Sequence, residues 1–298
     1  MDHAPVKTFK RAFDVTQQNK LSEKDLYINH ILRDIISGVI FPAFRNNTID
    51  FYHKGGNAFH FADGRFSTHV KYASVLHGHN KPYISEDEIV DARLIDNFIE
   101  GYERIKENCA LYSGKEALGV AGFYAPSCYA LSREDNVVVL DIEVALHAIE
   151  EELDVHLVEK KKRSQDRIDV LLFNKSTKTL QFVEAKHFTN KELWSQEGTK
   201  PKVVEQINRY QQQISKSEKH DQIVQAYNNY IQIANSLFHL DLPLTDSIKL
   251  NTEVILLVFG FDNDQKLKIK KLLKDDGSLD GISARFIGNP KTASDVWK

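Results

Sequence analysis

The sequence predicts a mixed α/β fold, and three observations carry that prediction. Residues 253–261, EVILLVFGF, are an almost unbroken apolar run, the pattern of a strand buried on both faces. Residues 167–188, RIDVLLFNKSTKTLQFVEAKHF, read as two apolar strands joined by a short polar turn. On both sides of that hairpin, apolar residues recur at helical spacing. From about residue 140 the order is helix, three strands, helices, strand, helix, strand, which describes a mixed sheet flanked by helices.

Taken in order, the first twenty residues are polar and read as a frayed segment or arm. Ser22 then precedes the apolar positions Leu26, Ile28, Ile31, Leu32, Ile35 and Ile36, which predict a helix to about Ser37. TIDFYHKGG, NAFHFADG and RFSTHVKYA, within residues 48–73, read as three short strands separated by glycine turns. Ser85 and Glu88 fit a capping box, and Ile89, Ala92, Ile95, Phe98, Ile99, Tyr102 and Ile105 behind it predict a helix. Residues 110–135 are rich in Gly, Ala and Ser without a strong period, and a domain boundary is placed near 130. The expected division is an N-terminal α/β region, 1–130, with a recognition or regulatory role, and a second domain, 131–298.

Residues 137–153 admit two readings. Val137–Leu140 is β-like, whereas Ile142, Leu146, Ile149 and Leu153 make a helical apolar face. The helix is the preferred reading, and one long strand through Leu146 is the alternative. LDVHLVEK is expected to form a strand, and Lys160, Lys161, Lys162 and Arg163 a basic turn beside the hairpin. After the hairpin, Pro201 suits a helix first turn for a helix carrying Val203, Val204, Ile207, Tyr210 and Ile214. A second helix is expected at about 217–239, a basic helix at 265–273 and a last strand in SARFIG.

Composition narrows the function classes. The chain has 298 residues, 42% hydrophobic and 27% charged, which suits a globular protein. It contains no apolar run of about 18 residues and its charged start lacks an apolar segment, so neither a membrane span nor a secretory signal is expected. Two cysteines without metal-ligand spacing exclude a disulfide framework and make the cytoplasm the expected compartment. The net charge of −3 supplies no global attraction for nucleic acid, so phosphate binding must rest on local basic residues or a metal. His60, His69, His77 and His79 lack acidic or cysteine partners at zinc spacing and are not read as a metal site.

The hairpin carries the chemistry. Folding it at Ser176–Thr177 places Asp169 opposite Glu184, while strand alternation puts Glu184 and Lys186 on one face. Two carboxylates forced together repel unless a cation lies between them or one is protonated. Mg²⁺ is the cation expected at an all-oxygen site, with the Ala185 carbonyl as a further ligand and Mn²⁺ as a substitute. Such a cation makes a bound water easier to deprotonate, and Lys186 would orient or deprotonate that water or stabilise a phosphate.

Asp169, fourteen residues, then Glu184-Ala185-Lys186 resembles the PD-(D/E)xK nuclease superfamily, with Ile168 in place of the preceding proline. Gln206-Ile-Asn-Arg-Tyr210, twenty residues after Lys186, resembles the QxxxY element of its RecB-like branch. The resemblance covers roughly residues 140–215. It implies a restriction-endonuclease-like αβββα-β core, and a metal held by Asp169 and Glu184 with Lys186 serving the attacking water. It also implies an acidic or histidine ligand from a preceding helix, for which Glu143, His147 and Glu150 are the candidates; the strand reading of 137–146 would favour Glu143. Gln206 and Tyr210 would reach the site or the DNA backbone, and Lys160–Arg163 would contact phosphate. The function implied is Mg²⁺-dependent DNA hydrolysis in bacterial or phage defence, restriction or repair. The protein would act alone, as a homo-oligomer or with a protein partner. A non-catalytic module of the same fold, binding nucleic acid or a partner in a larger assembly, is the competing class.

Overall fold

The computed structural model describes residues 8–75, 82–89, 93–131, 134–146, 167–195, 199–244, 248–275 and 277–297. Two five-stranded sheets share one continuous apolar core. The first is an antiparallel meander of β1 (Phe41–Phe44), β2 (Ile49–His53), β3 (Gly56–Ala62), β4 (Arg65–His69) and β5 (Tyr83–Ser85). The second has the order β10-β9-β8-β7-β6, built from β6 (Val137–Ala145), β7 (Arg167–Asn174), β8 (Thr179–His187), β9 (Lys249–Phe259) and β10 (Ala284–Phe286). The pairs β6–β7 and β7–β8 are antiparallel, and the pairs β8–β9 and β9–β10 are parallel. The mixed α/β class is as expected, and so are the three glycine-separated strands of residues 48–73.

Several sequence expectations change. Residues 137–145 form β6: the β-like reading of Val137–Leu140 holds, and from Asp141 to Ala145 the strand alternative holds in place of the preferred helix. Val137, Val138, Val139 and Leu140 are all buried, and the β-branched run pairs along nearly the whole of β7, so sheet burial outweighs the helical spacing that begins at Ile142. From residue 8 on, the first twenty residues are not an arm: Phe9 and Phe13 are buried, and α1 spans Val15–Ser22. Ser22, which precedes the expected helix, is itself the last residue of α1. The helix expected after it is present: it starts at Asp25, passes through a π-helical turn at Tyr27–Ile31 and continues as α2 (Leu32–Ile36). The Ser85–Glu88 capping box is present, with the Ser85 N–H donating to Glu88 Oε2 at 3.0 Å, yet it caps only a 3₁₀ turn. The long helix expected from Ile89 is instead α4 (Tyr102–Tyr112), which follows the short α3 (Val70–Ala73).

Within the Gly/Ala/Ser-rich segment lies α5 (Lys115–Tyr124), which precedes residue 130 but packs on β8. Its glycines lower helix propensity and hide it from periodicity. Gly119 has a packing reason: a Cβ there would collide with the Phe259 ring, so the bare backbone lets α5 settle against β9. On the other side of the hairpin, α6 (Lys202–Ser215) and α7 (Ser217–Phe238) follow their expected bounds closely. α8 (Asn263–Lys270) and the short α9 (Ala293–Val296) complete the chain.

The sheets are joined by a buried charge cluster. Asp141 on β6 is fully buried and accepts from Arg11 at 2.9 Å, Arg45 at 2.8 Å and the Tyr227 hydroxyl at 2.9 Å. One carboxylate thus fastens the N-terminal segment, the β1–β2 turn and α7 to β6. Among the described residues, no helix is long and apolar enough to cross a membrane.

Candidate functional site

The hairpin register is the one expected: Val170 faces Val183 and Asn174 faces Thr179, which continues to Asp169 beside Glu184. On its other side, Asp169 lies between the paired positions Ile142–Val170 and Val144–Ile168, and is therefore level with Glu143. A strand-centred acidic row of Glu143, Asp169 and Glu184 results. Asp169 also ends the strand pairing with its own side chain, because Oδ2 accepts the Ala185 N–H at 2.7 Å.

Glu184 and Lys186 are buried, and the Lys186 ammonium bridges Glu184 Oε1 at 2.9 Å and Glu192 Oε2 at 3.1 Å. Glu184 Oε2 is buried without a hydrogen-bond partner. Burial, followed by the charge of Glu184, holds the Asp169 carboxyl well above the usual carboxylate range. Burial also pushes Glu184 up to about 7 against the opposing pull of Lys186. For Lys186, burial alone would lower the pKa, but Glu184 and Asp169 overcome it and hold the ammonium above the usual lysine range. In the absence of a cation Lys186 is accordingly a charged donor, not a base.

A further carboxylate at this corner was missed in the sequence. Glu116, at the start of α5, accepts from the His187 N–H at 3.0 Å and from Asn190 Nδ2 at 2.8 Å, and its charge helps raise Glu184. The usable signal was the face Glu116, Val120, Phe123 and Tyr124, whose three apolar members are buried. Among the described residues, α5 is a helix before the hairpin that brings an acidic residue to this corner. Of the three ligand candidates placed on a helix after residue 140, Glu143 sits on β6 with φ of 51° and pairs with Arg167 at 3.6 Å. His147 and Glu150 lie outside the described residues, as do Lys160, Lys161, Lys162 and Arg163.

Gln206 and Tyr210 do share one face of α6. Gln206 Nε2 donates to the Tyr210 hydroxyl at 2.9 Å, and that hydroxyl donates to the Arg167 carbonyl at 3.1 Å. Tyr210 is buried and grips the backbone two residues before Asp169, so its observed contact is with the strand that carries the carboxylate.

The donor set is all oxygen. Among the described residues no group of three or more His, Cys, Asp or Glu side chains is arranged to hold a metal ion. A hard cation such as Mg²⁺ nevertheless takes only one or two carboxylates from a protein, since water and phosphate oxygens complete its shell. The partnerless Glu184 oxygen and the raised carboxylates fit a position that gains from a cation. Glu116, Asp169 and Glu143 line a narrow cleft of about 100 Å³ together with Tyr52 of β2 and Gly55 of the β2–β3 turn. No family model, no curated protein and no solved structure matches this chain.

Proposed function

We propose that this protein is a Mg²⁺-dependent nuclease that hydrolyses DNA phosphodiester bonds, with a restriction-endonuclease-like core formed by α5 and the second sheet. The observation that carries this reading is the meeting of Asp169, Glu184 and Lys186 at one corner of a buried hairpin, with one Glu184 oxygen lacking a partner. The order of an antiparallel β6-β7-β8 unit, two helices and a parallel β9 also supports it. So does Glu116, an acidic residue on a helix that precedes the hairpin.

Asp169 and Glu184 would hold the cation, with the Ala185 carbonyl and Glu116 nearby. Bound there, Mg²⁺ supplies positive charge to phosphate oxygens and lowers the pKa of the attacking water. The chain's own contribution is positioning and charge. Lys186 presents a proton-bearing ammonium to the developing negative charge on phosphate. The Asp169 contact with Ala185 fixes the strand end that carries Glu184 and Lys186, and Glu116 fixes the turn after it. A role in bacterial or phage defence, restriction or repair rests on the family resemblance.

A labelled DNA substrate with Mg²⁺ or Mn²⁺ tests the proposal. Cleavage should vanish with EDTA and in Asp169→Ala and Lys186→Ala proteins that retain wild-type circular dichroism. Undiminished cleavage by either variant overturns it. One observation favours a non-catalytic module: Lys186 already joins Glu184 and Glu192 in a closed ion-pair set. That reading predicts no calorimetric heat from Mg²⁺ or Mn²⁺ and no cleavage of DNA or RNA.

A further inference from the structure

The first sheet has one apolar face and one polar face. Phe51, Phe59 and Phe66 enter the core, while Asp50, His60 and Ser67 succeed one another across β2, β3 and β4 as direct cross-strand neighbours. This polar row lines a cleft of about 550 Å³, joined by Tyr83 of β5 and by Glu143 and Arg167 from the second sheet. Tyr52, Gly55 and Glu143 also line the narrow cleft at Asp169, so the two spaces adjoin across these residues. The junction is held firmly. Gly55 has φ of 84°, its N–H bonds the Tyr124 hydroxyl at 3.1 Å, and a Cβ there would lie 2.7 Å from Ala117.

The charges in this cleft are matched internally. Asp50 is paired with Arg45 at 3.0 Å and with His60 Nδ1 at 2.6 Å, and Glu143 is paired with Arg167. No excess positive charge remains among these residues to select a phosphate. Because a carboxylate only accepts, the Asp50 contact puts a proton on His60 Nδ1 and leaves Nε2 for another partner. Ser67 offers a hydroxyl, and the half-exposed Tyr83 ring is steadied edge-on by His69 at 5.4 Å. An uncharged planar group that hydrogen-bonds at its edge and stacks on an aromatic ring matches this lining, and the volume is that of a small-ligand site.

We propose that this cleft is a nucleobase subsite, which receives the base of a nucleotide next to the phosphate at Asp169. The site rests on the nuclease reading for its neighbouring phosphate, but base binding needs neither metal nor cleavage. The test is a titration of the whole protein, in EDTA, with the four deoxynucleoside 5′-monophosphates and with 2-deoxyribose 5-phosphate as the baseless control. At least one nucleotide should bind more tightly than the control. Tyr83→Ala should weaken that binding about tenfold through lost stacking, and Tyr83→Phe should restore it. Nucleotides that bind no better than the control, or a Tyr83→Ala protein that binds like wild type, overturn the subsite. Persistent base binding in a protein that cleaves no DNA keeps the subsite and removes the nuclease reading. Cleavage lost in Lys186→Ala, without any base binding, does the reverse.

Discussion

The Tyr210 hydroxyl donates to the Arg167 carbonyl at 3.1 Å and ties α6 to the strand that carries Asp169 two residues later. Gln206 stands behind it as the donor to the same hydroxyl. The pair is a positioning device: it sets where β7 begins, and so where the Asp169 carboxyl emerges.

Tyr210→Phe should therefore lower stability by about 1 kcal/mol, the usual net worth of one buried hydrogen bond. Urea unfolding measures this. Under the nuclease proposal, turnover should fall while Mg²⁺ affinity stays within about twofold, since no ligand is removed. A large loss of metal affinity would show that Tyr210 does more than hold the strand.

Glu184 gives a pH prediction with a definite sign. Its folded pKa of about 7 lies above its ordinary value of 4.5, so the folded state binds more protons between these values. Stability should then fall as pH rises from about 4.5 to about 7, and Asp169, also raised, acts in the same direction. The fall should be on the order of 1–3 kcal/mol. Glu184→Gln should flatten it, and Mg²⁺ should offset it above pH 7. Denaturant midpoints across this range decide; a Glu184→Gln profile parallel to wild type counts against the assignment.

Glu116 separates charge from shape. Glu116→Ala leaves the His187 N–H and the Asn190 amide without their acceptor and should cost about 1–3 kcal/mol. Glu116→Gln keeps an acceptor oxygen and should be milder. By removing a negative neighbour, it should also move the Glu184 transition to lower pH. Side-chain carboxyl titration by NMR measures that shift.

Asp141 tests the joint between the two sheets. Asp141→Ala strands Arg11 and Arg45 without their shared carboxylate and should destabilise by about 3–5 kcal/mol. A variant within about 0.5 kcal/mol of wild type in urea would show that the cluster is not what fastens the N-terminal segment.

Gly119→Ala places a Cβ against the Phe259 ring and should cost about 1–3 kcal/mol through overpacking. Because α5 also carries Glu116, any cleavage activity should fall with it. Unchanged stability and activity would mean that α5 has room to shift.

What was legible in the sequence depended on local pattern. The Asp169–Glu184 register, the Glu184–Lys186 face and the Gln206–Tyr210 face are consequences of two fixed periodicities, 2 for strands and about 3.6 for helices. The apolar runs of β7, β8 and β9 and the stripes of α6 and α7 followed in the same way. Failure came where a local signal served two structures or was suppressed. Ile142 and Leu146 fit a helix face, yet burial in the sheet carries the strand that starts at Val137 on through Ala145. In α5, Gly119 weakened the local signal because a distant ring, Phe259, needed the space.

The sequence by itself determined the mixed α/β class and the hairpin that brings Asp169, Glu184 and Lys186 to one corner, because a two-residue repeat leaves no freedom once the turn is set. Only the tertiary structure decided that Glu116 stands beside them, that Glu143 reaches the row from a strand, and that Asp50 and His60 of the first sheet line the adjoining cleft. Those neighbours are separated along the chain and share no repeat. They meet because α5 and the first sheet bury their apolar faces in a common core, leaving their polar faces around one cleft.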